Sequence, residues 1–182
     1  MSFQTEHKQK FDDLKVALHI DNRPQLKRDA NGGNTILFVY PPVEEIQYIE
    51  KAKELYPDAH FIDISRLFIN YIDTVGMDNF EEYYMEYENA TDQVFKNDND
   101  VNLYSLIINE IKTASDNNKI PFILRTGVLY GTGIINQHIM ENSDVLSLRL
   151  PIVFFYPAKY ENDELFFLNF KPASKYRCKL IK

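Results

Sequence analysis

The stretch Thr35-Ile-Leu-Phe-Val-Tyr40 is a continuous run of β-branched, apolar and aromatic residues. Such a strand has to be covered on both faces, which is the condition of a parallel sheet enclosed by helices. Shorter runs at 60–64, 121–126 and 151–156 repeat the signal. Between them apolar residues recur at helical spacing: Val43, Ile46, Ile49, Ala52 and Leu55, then Leu67, Phe68, Tyr71, Ile72 and Val75, then Leu103, Leu106, Ile107, Ile111 and Ala114. Strands separated by helices imply right-handed crossovers. The expected fold is α/β: a three-layer sandwich with a mainly parallel sheet of about four strands and helices on both faces.

The ends of the chain are read differently. Phe11, Leu14 and Leu18 mark an amphipathic helix over residues 4–19, and residues 21–34, with Pro24 and Asn31-Gly-Gly-Asn34, read as a loop. A further helix is expected near residues 134–140. The segment from Tyr156 to a strand at 165–170 is too short for a crossover helix, so those strands should form a hairpin, with 176–181 as another antiparallel edge strand. Ser65, an Asp78-x-x-Glu81 box and Asp100 are the expected helix caps. With 182 residues the chain suits one domain, in which 1–33 supply a helix and loop and 34–182 the sheet core.

Composition narrows the function classes. The chain is 45% hydrophobic and 26% charged, which excludes disorder and collagen or coiled-coil architectures. The beginning lacks the apolar stretch of a signal peptide, and no apolar run approaches the ~20 residues that span a bilayer, so a cytoplasmic protein without membrane contact is expected. The net charge of −7 is carried by residues 78–100, where eight acids face one base, while the last twelve residues hold five bases and no acid. The acidic segment fits a solvated face or a dock for a basic partner, and the basic tail, with no second basic cluster or aromatic platform beside it, does not support direct nucleic-acid contact.

A doubly wound sheet gathers ligands at the carboxyl ends of its strands. Here those ends offer Tyr40-Pro-Pro42, Asp63 with Ser65, Arg125-Thr126-Gly127, and Tyr156-Pro157. A phosphate loop after the first strand is ruled out, because Pro41 and Pro42 lack amide donors and Glu44 and Glu45 occupy the helix N-terminus with negative charge. Gly131-Thr-Gly133-Ile-Ile-Asn136 misses the dinucleotide pattern at its third glycine. The four histidines are scattered, so no metal site or cofactor is expected. Asp63 fits a helix cap better than a Mg²⁺ ligand. Cys178 sits among lysines that would lower its pKa, although nothing else suggests a catalytic thiol.

The C-terminal third carries Thr126-Gly127-Val128, then Tyr130, then His138, Pro151-Ile-Val-Phe-Phe-Tyr156-Pro157, Tyr160, a strand at 165–168, and Tyr176-Arg177. In that order these features resemble the BrxB family of bacterial BREX anti-phage defence systems. The gap between Tyr130 and His138 lacks the family's Pro and Arg, and Ala158 replaces a glycine, which marks a divergent member. The resemblance implies an α/β sandwich reminiscent of P-loop ATPases without the phosphate loop. It also implies a non-catalytic accessory subunit that associates with an alkaline-phosphatase-like component, beside a methyltransferase and a large ATPase of the same system, with a homodimer as another option.

Two readings of the residues follow. In the first, the domain is an assembly subunit that presents Tyr83, Tyr84 and Tyr87 of the acidic helix to a partner. In the second, it is a degenerate nucleotide- or nucleic-acid-binding module whose rim comprises Asp63, Arg125, Thr126, Gly127, Tyr130, His138 and Tyr156. A hydrolase centred on Asp63 and His138 lacks a nucleophile or metal cage and stands well behind both.

Overall fold

The computed structural model describes residues 3–97 and 101–182, with side chains from His7 onward. The strands are β1 (Thr35–Tyr40), β2 (His60–Asp63), β3 (Pro121–Leu124), β4 (Ile152–Glu161), β5 (Glu164–Phe167), β6 (Lys171–Ala173) and β7 (Cys178–Ile181). The helices are α1 (Phe3–Leu18), α2 (Arg23–Asp29), α3 (Glu45–Leu55), α4 (Ile64–Val75), α5 (Met77–Glu86), α6 (Thr91–Phe95), α7 (Leu103–Asp116), α8 (Asn136–Met140) and α9 (Ser143–Ser147).

Alternation along the strands builds two cores. Ile36, Phe38 and Tyr40 of β1, with Val153 and Phe155 of β4, meet α1, α2 and α3 through Leu14, Leu26 and Tyr48. Leu37 and Val39, with Phe154 and Tyr156, face the other way onto α4 and α7 through Tyr71, Ile107 and Ile111. Every residue of β1 is buried, as a run without a polar side demands.

The sheet departs from the expected one in three ways. It has seven strands, of which β2-β3-β4-β1-β7 lie side by side and all pair in parallel. The last strand, expected to be antiparallel, runs parallel to β1, with Thr35 opposite Cys178 and Phe38 opposite Ile181. The expected hairpin forms between β4 and β5 but not at a sheet edge. Its first strand is the far half of β4, which continues past the end of β1 at Tyr40, opposite Pro157, and carries β5 and β6 as an antiparallel arm beyond the carboxyl rim.

Local details are also revised. The loop read at 21–34 contains α2, which accommodates Pro24 because its first turn needs no amide there. Gly76, not Asp78, precedes α5, so the box at Asp78 does not form. Asp63 rather than Ser65 caps α4. The cap read at Asp100 lies outside the described residues, and α7 is opened by Asn102, whose side chain and that of Ser105 bond each other's backbone N–H. Among the described residues no helix is long and apolar enough to cross a membrane.

Candidate functional site

The expected phosphate-loop position is filled by the protein itself. After β1 the Tyr40 hydroxyl donates to Glu45 Oε1 at 2.8 Å, and Glu44 Oε2 lies 2.8 Å from His7 Nε2. Buried Lys10, from α1, donates to the carbonyl of Val39 at 3.3 Å. Helix residues and carboxylates close this end of β1.

Asp63 and Arg125 come together at the ends of β2 and β3. Asp63 Oδ1 accepts from the backbone N–H and the hydroxyl of Ser65, at 3.0 and 2.6 Å. Its other oxygen lies 3.2 Å from Arg125 Nε, and Arg125 itself turns the chain in a left-handed conformation. The carboxylate is occupied by a cap and an ion pair, which is a structural assignment. Among the described residues no group of three His, Cys, Asp or Glu is placed to hold a metal ion.

Thr126 and Gly127 brace the rim. The Thr126 hydroxyl is buried and donates to the Phe155 carbonyl at 2.7 Å, tying the end of β3 to β4. Gly127 lies under the arm, where an added Cβ would sit 3.5 Å from Leu168 and 3.7 Å from Pro157. His138 accepts from the Ile135 N–H through Nδ1 at 3.3 Å, closing the first turn of α8. Burial, helped by the Lys96 charge, lowers the His138 pKa and favours that neutral acceptor.

The remaining rim residues, Tyr130 and Tyr156, meet in a cavity of about 250 Å³ between the arm and the segment that follows Leu129. Tyr130 is 52% exposed and meets Phe170, 57% exposed, edge to face at 5.5 Å. Lys171 Nζ stands 5.6 Å from the Tyr130 ring centre. Tyr156 is buried and stacks on Phe167 at 4.8 Å. Tyr130 also walls a second groove of about 270 Å³, formed with Phe68, Phe80, Tyr84, Phe95 and Val128.

That groove divides the tyrosines of the acidic helix. Tyr83 donates to the Gln93 carbonyl and accepts from Asn97 Nδ2, each at 3.1 Å, and its ring meets Tyr87 at 5.0 Å. Both hold α5 against the rest of the protein. Tyr84 alone of the three is on the exposed side, stacked on Phe80 at 5.9 Å. Helical geometry sets Glu81 beside it, one turn back along α5.

Sequence reasoning missed Phe170, Lys171 and Asn136. Leu168 and Asn169 both adopt left-handed conformations, which turns Phe170 outward at the arm's bend, and Asn169 was the available sign of such a turn. The expectation for Cys178 is reversed. Burial pushes its thiol up to about 12 despite Lys175 nearby, and the thiol donates to the Lys175 carbonyl at 3.2 Å. Native Cys178 should therefore react with a thiol reagent at pH 8 roughly a thousandfold more slowly than in urea-unfolded protein, a difference read directly from the two rates. Comparable rates would show that the last strand opens freely.

No curated protein and no solved structure matches the chain. A family model described as "BREX protein BrxB" matches residues 60–181, from β2 through β7, leaving β1 and its Tyr40-Pro41-Pro42 turn outside the matched region. That span covers two thirds of the chain, with both grooves, the arm and the rim residues from Asp63 to Tyr156, so the chain belongs to the BrxB family of BREX proteins.

Proposed function

We propose that the protein is a non-catalytic accessory subunit of a BREX-type anti-phage assembly. It docks through the aromatic surface at the carboxyl end of its sheet, with the alkaline-phosphatase-like component of the system as the partner. The observation that carries this reading is the exposed aromatic ridge of Tyr84, Tyr130 and Phe170 over the groove floored by Phe68 and Phe95. Aromatic side chains at the mouth of an apolar groove are the usual anchors of a protein interface. The groups that chemistry would need at this rim are already engaged: the Asp63 carboxylate, the Thr126 hydroxyl and His138 Nδ1 each have an internal structural partner.

The frame supports a likeness to P-loop ATPases, with β1 between β4 and β7 and a filled turn where a phosphate loop would lie. In this reading the arm and the loops around Tyr130 have made a nucleotide rim into a docking face. The test is affinity capture of the tagged chain from its host. Wild type should recover the phosphatase-like component in stoichiometric amount. Tyr84→Glu with Tyr130→Glu should lower that recovery at least about tenfold, since each places a charge in a desolvated contact. Val16→Glu, on exposed α1, should leave recovery unchanged. Repeated recovery of the wild-type chain alone at low salt would overturn the docking reading.

A further inference from the structure

The cavity beneath the arm has a polar lining that the fold leaves unused. Tyr156 is 4% exposed and Asn136 3% exposed, and both line it. Asn136 Nδ2 donates to the Ser174 carbonyl at 2.7 Å, which holds the amide in place and leaves Oδ1 without a protein donor among the described residues. The Tyr156 hydroxyl has no hydrogen-bond partner among the described residues either. Both side chains are more than nine-tenths buried, and the cavity is the space they line together.

Buried polar atoms in proteins are normally satisfied, so an unmatched donor and acceptor in one cavity call for a partner that enters it. The rest of the lining limits what that partner is. Phe167, stacked on Tyr156, and the Tyr130 ring supply flat apolar walls. Lys171 Nζ stands over the Tyr130 ring, 5.6 Å from its centre, with no carboxylate paired to it among the described residues. The volume of about 250 Å³ lies just under the ~300–1,000 Å³ of drug-sized sites, enough for one ring system and too little for a dinucleotide.

We propose that this cavity binds a single nucleotide unit. A base enters between Tyr130 and Phe167, its adjacent acceptor and N–H edge meets the Tyr156 hydroxyl and Asn136 Oδ1, and its phosphate remains outside on Lys171. The four common bases each carry such an edge, so the site recognises the class before the individual base. This site shares the Tyr130 wall with the groove at Tyr84, but Asn136, Tyr156 and Lys171 lie outside that groove, and their role does not depend on the docking reading.

The experiment is an NMR titration of the full chain with AMP, CMP, GMP and UMP, with ribose 5-phosphate as the control. A 5′-phosphorylated hexanucleotide is the second arm. At about 10 mM, enough to saturate a site with a Kd near 1 mM, at least one mononucleotide or the hexanucleotide should give saturable shifts at residues 134–137 and 171–174. Tighter binding of the hexanucleotide assigns the site to a strand end, and tighter binding of a mononucleotide to a free nucleotide. Tyr156→Phe should weaken binding about tenfold without lowering Tm, because the hydroxyl it removes has no protein partner. Lys171→Glu should weaken it as well. The proposal is overturned by no saturation with any probe, by ribose 5-phosphate binding equally well, or by Tyr156→Phe binding unchanged. It is also overturned if the shifts map to Lys179 and Lys182 instead of the cavity.

Discussion

Gly133→Ala is expected to lower stability by about 3 kcal/mol and to displace the loop that walls both grooves. Two effects add. Gly133 has a φ of 76°, a left-handed conformation that costs an L side chain about 1–2 kcal/mol. An added Cβ would also lie 2.6 Å from Asp92 Cβ and 2.8 Å from its Cα and N, a collision with the opening turn of α6 that no side-chain rotation relieves. Gly131 is the control: its φ is 86°, but nothing lies within 4 Å of an added Cβ. Gly131→Ala should then cost only about 1 kcal/mol. Urea midpoints at unchanged m-value measure both. Equal, mild losses would mean that α6 yields easily and that the loop is not pinned there. Because Ile134 to Gln137 follow Gly133 directly, the larger loss should also remove binding in the cavity under the arm.

Phe155→Ala should cost about 4 kcal/mol. The ring is fully buried on the α1–α3 side of the sheet, stacked on Phe38 at 4.8 Å, with Phe122 at 5.8 Å and Tyr40 at 6.0 Å. These neighbours are themselves large and fixed by the strands, so they cannot collapse into the space left behind. Phe155→Leu retains most of the volume and should cost about 1.5 kcal/mol or less. If the alanine variant unfolded at nearly the leucine midpoint, the aromatic layer would be loosely packed.

Much of the α/β pattern was legible because it is local. Thr35–Tyr40 reads as a doubly covered strand from its own residues, and the helical spacing in 103–114 is visible without knowing its partners. Asp63 was legible as a cap for the same reason, since Asp63 and Ser65 are two residues apart. The hairpin after Tyr156 followed from chain length, although its place in the sheet did not.

The site was legible only in pieces. Tyr130 and Tyr156 were candidates, yet the rim group resolves into an ion pair at Asp63 and Arg125, a brace at Thr126, and a cavity wall at Tyr130 and Tyr156. Asn136 counted against a nucleotide motif because it stands where a third glycine would, while in the structure its amide lines the cavity. Its value depends on Ser174, thirty-eight residues away, which fixes the amide and leaves one acceptor open.

The amino-acid sequence by itself determined strands β1 to β5 and the longer helices α1, α3, α4 and α7, the burial of β1, and the charge of the acidic segment, because these depend on neighbours within a few turns. The direction of β7, the extension of β4 past the rim, and the meeting of Tyr130, Asn136, Tyr156 and Lys171 were decided by the tertiary structure. A strand of four residues, Cys178–Ile181, offers the same donors and acceptors to a parallel or an antiparallel neighbour, and only the packing of the arm and of the two helical layers selects one.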